Sequence, residues 1–158
     1  MSVNITLDDT SPVINWGPGW RMGTAKSGKL IQHSSPSTSI HPADPPPALL
    51  HTDPFTPNYY KQSFRCTPDE GTTGSLTFRG SGVWIYGAKR TNHGMYEMEL
   101  DGVVQTGDGY QQTNVAQVLL FGKGGLDAGV DHTVVSGWRV WDREDLGWSG
   151  LIHGEVVG

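Results

Sequence analysis

Met95-Tyr96-Glu97-Met98-Glu99-Leu100, followed at once by Asp101-Gly102 and Val103-Val104, alternates apolar with acidic side chains and then turns. A period of two belongs to a strand with one buried face, so Tyr96, Met98 and Leu100 are expected toward a core and Glu97 and Glu99 toward water. Asp-Gly readily takes the positive φ angles of a tight turn, which makes Asp101-Gly102 a hairpin connection into Val103-Val104. Working outward, Ser75-Leu76-Thr77-Phe78, Val83-Trp84-Ile85-Tyr86, Val115 to Phe121 and His132 to Val135 are further β-rich runs, separated by Gly-bearing turns. Runs spaced by roughly 10 to 20 residues predict an all-β chain folded as a two-sheet antiparallel β-sandwich.

Toward the N-terminus, Val3-Asn4-Ile5-Thr6-Leu7 alternates as a half-buried strand should, Asp8-Asp9-Thr10-Ser11-Pro12 ends it, and Val13-Ile14-Asn15-Trp16 is a second short strand. From 21 to 60 the pattern dissolves into a Pro/Ser-rich insertion that holds seven of the ten prolines, including Pro45-Pro46-Pro47. Such a stretch forms neither a helix nor a central strand, and at this length it is read as a binding loop or a mobile insertion.

Composition narrows the function. A chain of 158 residues suits a single domain over 1–158. Gly 22 and Pro 10 with only 17% charged residues favour turns over long helices. No run approaches the ~20 apolar residues of a membrane-spanning helix. The net charge is −5 and no basic cluster exceeds Lys89-Arg90, which argues against a nucleic-acid partner. The single cysteine, Cys66, excludes an internal disulfide. The opening residues show neither a basic n-region nor an apolar h-region, so the sequence as written carries no secretory signal.

Several blocks follow one order: Ile5-Thr6-Leu7-Asp8-Asp9-Thr10-Ser11-Pro12, Trp16-Gly17-Pro18-Gly19-Trp20, Leu76 through Arg90, His93-Gly94-Met95-Tyr96, Leu100-Asp101-Gly102, Val118-Leu119-Leu120-Phe121, Gly125-Leu126 and His132-Thr133-Val134. Together they resemble the ectodomains of a group of basidiomycete fungal proteins, domains similar to galactose-binding-like β-sandwich (jelly-roll) modules. The resemblance covers residues 3 to 20 and about 63 to 135. It implies an extracellular or cell-surface location, a glycan or other cell-surface ligand bound through loops at one end, no cofactor, and in some relatives a structural calcium ion. The chain departs from that pattern over 136–158, an atypical C-terminal tail. If the usual closing strand is missing, the first strand loses a neighbour, and Leu151-Ile152-His153-Gly154-Glu155-Val156-Val157 is the candidate substitute.

Aromatic rings are the first candidates for stacking on a sugar, whose apolar face packs on a ring while its hydroxyls seek polar groups. Trp16 and Trp20 flank a Gly-Pro-Gly turn, Tyr59 and Tyr60 stand where the insertion returns, and Tyr110 lies in a loop. Trp84 and Tyr86 share one strand face opposite Val83 and Ile85, so only one of these pairs enters the core; for the aromatic pair a structural place, in the core or beneath the insertion, is favoured. Lys89, Arg90 and His93 form the most polar loop after a strongly patterned strand, with donors for hydroxyls or a carboxylate. Asp8 and Asp9 are weak calcium candidates, since turn chemistry explains them equally well.

Catalytic readings fare worse. Glu97, Glu99 and Asp101 share a strand face at roughly 7 Å intervals, a spacing that a solvated outer face produces as readily as a glycosidase. Gly80-Ser81-Gly82 is a turn between strands with no helix to make a nucleophile elbow, and Gly122-Lys123-Gly124-Gly125 lacks phosphate-loop spacing. The six histidines are dispersed. The leading expectation is a non-catalytic carbohydrate- or cell-surface-ligand-binding module. A structural or protein-interaction ectodomain comes second and a glycan-active enzyme third.

Overall fold

A computed structural model describes residues 4–24, 55–67, 70–138 and 149–157. The described strands are β1 (Asn4–Asp8), β2 (Ile14–Trp16), β3 (Arg21–Thr24), β4 (Ser63–Thr67), β5 (Thr73–Arg79), β6 (Gly82–Lys89), β7 (Met95–Leu100), β8 (Val103–Asp108), β9 (Val115–Gly124), β10 (Asp131–Trp138) and β11 (Ser149–Val157). One sheet has the order β3-β4-β11-β6-β9, with β1 also on β11; the other runs β2-β5-β10-β7-β8. Every strand pairing is antiparallel. The chain is therefore the expected two-sheet antiparallel sandwich.

Alternation works as the sequence predicts. Tyr96, Met98 and Leu100 of β7 are buried, and Glu97 and Glu99 between them are half-exposed. Val83 and Ile85 are the core pair of β6, while Trp84 and Tyr86 occupy its outer face. Leu76, Phe78, Phe121, Val134 and Val156 complete the space between the sheets. Asp101 and Gly102 take φ angles of 51° and 83°, the left-handed pair that a two-residue turn between twisted strands requires. Tyr96 ties the two sheets together, its hydroxyl donating to the Leu120 carbonyl at 2.9 Å. It reaches that carbonyl by crossing Gly107, its partner on β8, where a Cβ would collide with the phenol ring.

Two segments that lacked pattern contribute strands. Within the 21–60 insertion, Arg21–Thr24 pairs with β4 at the sheet edge, where prolines nearby do no harm, and Thr56–Asn58 and Tyr60–Gln62 make short 3-10 turns. Residues 25–54 lie outside the described residues. In the 136–158 tail, Ser149–Val157 is β11, flanked by β6 on one side and by β4 and β1 on the other. β4 lies beside Ser149–Leu151 and β1 beside His153–Val157, so the two short strands follow one another along a single edge of β11. Both run antiparallel to β11; the end of β1 consequently meets the start of β4, and this seam brings Asp8 and Asp9 to Ser63. Residues 139–148 lie outside the described residues. None of the described helices is long and apolar enough to cross a membrane.

Candidate functional site

The sequence candidates separate into two groups. The first sits at the β1–β4 seam. The Trp16 and Trp20 rings lie 4.7 Å apart, and both indole N–H groups are committed to backbone, Trp16 to the Asp9 carbonyl and Trp20 to the Thr73 carbonyl, each at 3.0 Å. Arg65 stacks its guanidinium on Trp16 at 5.3 Å and donates from Nε to the same Asp9 carbonyl at 3.1 Å. Asp8 accepts from Thr10 and pairs with Lys61 Nζ at 2.8 Å. Burial pushes the Asp8 carboxyl up, but Lys61 and Thr10 outweigh it and hold it below its usual 3.8. Asp9 is 1% exposed; Ser63 Oγ donates to its Oδ1 at 2.5 Å, while its Oδ2 has no hydrogen-bond partner among the described residues. Burial dominates here, and the Asp9 carboxyl is pushed up to about 6. Lys61 and Gln62, which lead into β4, both have positive φ (51° and 57°), a conformation that costs non-glycine residues roughly 1 kcal/mol or more each.

The seam fits calcium poorly. A hard cation takes six to eight oxygens. Lys61 and Thr10 occupy Asp8, Ser63 occupies one Asp9 oxygen, and Arg65 adds a positive charge beside it. Among the described residues no group of three or more His, Cys, Asp or Glu side chains is assembled for a metal.

The second group covers the outer face of the six-stranded sheet where the insertion returns. Tyr59 packs edge-on against Phe64 at 5.1 Å and over Ala88, with Phe55, Tyr60 and Ala116 around it. Arg90 donates from Nη1 to the Tyr59 hydroxyl at 3.1 Å and lies over the Phe55 ring at 5.4 Å. A bridge between Arg90 and Tyr110 joins the two loops. His93 is buried, with Nδ1 at 3.0 Å from the Ala88 carbonyl; since a carbonyl only accepts, Nδ1 carries the proton. Tyr110 is 38% exposed, Lys89 and Arg90 are half-buried, and Lys61 stands 5.5 Å from the Tyr60 ring. Tyr59, Tyr60, Arg90, His93 and Tyr110 are thus brought to one end of the molecule, whereas Trp16 and Trp20 belong to the seam.

The same outer face holds residues to which the sequence assigned a structural place. Trp84, Tyr86 and Ala88 alternate along β6, spanning about 13 Å at ~3.3 Å per residue, and the row ends against the Tyr59–Phe64 wall. Trp84 faces Gly122 across the β6–β9 ladder, and Gly82 faces Gly124. A Cβ at Gly82 would lie 2.6 Å from Trp84 Cη2, and one at Gly122 would lie 2.8 Å from Cδ1. The indole is half-buried and lies along the sheet on a bare glycine lane, against the backbone of Gly82 and Gly122. The Leu119 side chain, 49% exposed, borders the lane. The signal in the sequence was the set of glycines at Gly82, Gly122 and Gly124, whose meaning depends on a cross-strand register that the sequence does not display.

Glu97 and Glu99 are half-exposed on the outer face of β7, and Asp101 is taken up by Thr133 and His132.

No family model and no curated protein matches the chain. Solved structures do. A two-domain esterase active on acetylated mannans, co-crystallised with mannopentaose, is 13% identical with a TM-score of 0.57, and the match covers 98% of this chain and 36% of that one. A family two carbohydrate esterase from Cellvibrio japonicus is 14% identical with a TM-score of 0.52, over 100% and 34%. The CBM36-1 domain of a multidomain xylanase from the hindgut metagenome of Trinervitermes trinervoides is 8% identical with a TM-score of 0.42, over 99% and 97%. The chain spans about a third of the length of the two esterases. What the chain shares with these two esterases is its fold, the antiparallel β-sandwich.

Proposed function

We propose that this chain is a non-catalytic carbohydrate-binding module whose ligand lies along the outer face of the six-stranded sheet. The observation that carries the reading is Trp84, a half-buried indole on the outer face of β6 lying over Gly82 and Gly122. A flat ring beside half-exposed Tyr86 is the shape on which a pyranose stacks. Arg90, Lys89, Tyr60 and Tyr110 stand at the far end of the row as partners for hydroxyls. Trp16, Trp20, Tyr59 and His93 act as scaffold in this reading, because their polar atoms already serve the fold. The mannan esterase of like fold was crystallised with mannopentaose, which makes manno-oligosaccharides the first ligands to try.

Calorimetry with mannopentaose and xylo-oligosaccharides on the wild type, Trp84→Ala and Arg90→Ala tests this. Expected is binding that Trp84→Ala weakens at least tenfold, about 1.4 kcal/mol, with an unchanged melt. Absence of binding by the wild type at millimolar sugar, or full binding by Trp84→Ala, overturns it. Acetate release from acetylated mannan overturns the non-catalytic part. A protein-interaction role is the second reading, favoured by β8, an edge strand that exposes Val103 (72%) and Val104 (50%). It predicts concentration-dependent self-association or a partner lost on Val103→Lys.

A further inference from the structure

We infer that His132 is a protonation-gated clamp that holds the loop between β9 and β10 against the β7–β8 turn. Its ring lies on β10, 8% exposed at the side chain and 5.6 Å from Phe78 of β5. Nδ1 is 2.6 Å from Asp101 Oδ2 and Nε2 is 3.0 Å from the Asp127 carbonyl oxygen. Neither partner has a proton to give. A carbonyl oxygen only accepts, and the other oxygen of Asp101 already accepts the Thr133 N–H at 2.8 Å, a bond that favours the carboxylate. Both contacts are hydrogen bonds only if both ring nitrogens carry protons, so the closed clamp contains an imidazolium.

A neutral ring keeps one N–H. The charge-assisted bond to Asp101 is the stronger and retains it, leaving the Nε2 lone pair against the Asp127 carbonyl. That contact then opens. The loop it anchors is otherwise held by short-range bonds, Gly129 N–H to Asp127 Oδ1 and Val130 N–H to the Asp127 carbonyl, and at its start by Leu126, whose N–H donates to the Ser81 carbonyl and whose side chain packs on the core. The charged groups around the ring are Asp101 on the β7–β8 turn, Asp127 in the loop, Asp131 on β10 and Arg79 on β5, the last two paired with each other. The balance is acidic. Asp101 first, then the Asp127 carbonyl, raise the imidazole above its usual 6.5, so the clamp is closed at mildly acidic pH and is lost as pH rises through that higher value.

NMR titration of the imidazole resonances between pH 5 and 9, with amide exchange of 127–131 corrected for intrinsic rates, tests the clamp in the full chain. Expected is a His132 midpoint above 6.5, lowered in Asp101→Asn, and at least a tenfold fall in Val130 protection that tracks the midpoint in each protein. A His132 midpoint at or below 6.5, a midpoint unmoved in Asp101→Asn, or protection indifferent to it refutes the proposal. His132→Gln, which keeps one donor at all pH values, should lose the pH dependence of protection. If His132→Gln fails to fold, the wild-type and Asp101→Asn comparison decides alone.

Discussion

Replacing Asp9 by asparagine probes the seam where β1 meets β4. The side chain is 1% exposed, Ser63 holds one oxygen, and Oδ2 has no partner among the described residues, so the ionised form is poorly solvated and the carboxyl is pushed up to about 6 from 3.8. At about 1.4 kcal/mol per tenfold change in proton affinity, that rise is worth about 3 kcal/mol. The folded-state value lies above the unfolded one, so the folded chain binds this proton more tightly. The resulting stabilisation is complete below about pH 3.8, declines as pH rises through about 6, and is absent beyond it. Asparagine imitates the protonated acid, with an oxygen for Ser63 and a donor where Oδ2 stood. Asp9→Asn should therefore match the wild type near pH 4 and exceed it by up to about 3 kcal/mol at pH 8, roughly 6 to 12 °C in Tm at this chain length. Urea melts followed by tryptophan fluorescence at pH 4, 6 and 8 measure this. A variant that is less stable at every pH would show that the carboxylate holds the seam as an ion, through Arg65, and would refute the reasoning.

Three substitutions test the packing and the turn. Gly107→Ala places a methyl against the Tyr96 ring and displaces the phenol from the Leu120 carbonyl; a loss of about 1–3 kcal/mol in chemical denaturation is expected, and Gly102→Ala, which touches no side chain but has a φ of 83°, should cost roughly 1 kcal/mol through backbone strain. Val83→Ala removes a fully buried side chain at the centre of the core and should cost about 2 kcal/mol in the same assay; a change below about 0.5 kcal/mol would mean that the sheets close over the gap.

How much was legible depends on the range of the interaction involved. Tyr96, Met98 and Leu100 against Glu97 and Glu99, and the turn at Asp101-Gly102, obey rules that act over two residues, and both were readable. For Val83-Trp84-Ile85-Tyr86 the alternation split the residues correctly into two faces, but the direction of the core remained open, because either pair is apolar. From the sequence β11 is only a candidate strand, since Gly150 and Gly154 blunt its pattern and its partners lie more than 60 residues away.

The site divides along the same line. Local chemistry singles out Trp16, Trp20, Tyr59 and His93 as aromatic and polar groups near turns, yet the structure commits them to the fold: Trp16 and His93 donate to the nearby Asp9 and Ala88 carbonyls, Trp20 donates to the Thr73 carbonyl 53 residues away, and the Tyr59 hydroxyl accepts from Arg90. The sequence by itself determined the secondary-structure class, the tight hairpin and the exclusion of helices, because pleat periodicity and turn stereochemistry are local. Only the tertiary structure decided that β11 joins β1, β4 and β6, that Asp9 is buried at their seam, and that Trp84 lies on a glycine lane formed by β6 and β9 together. Each follows from strand register, a set of pairings between residues far apart in the chain that no short window contains.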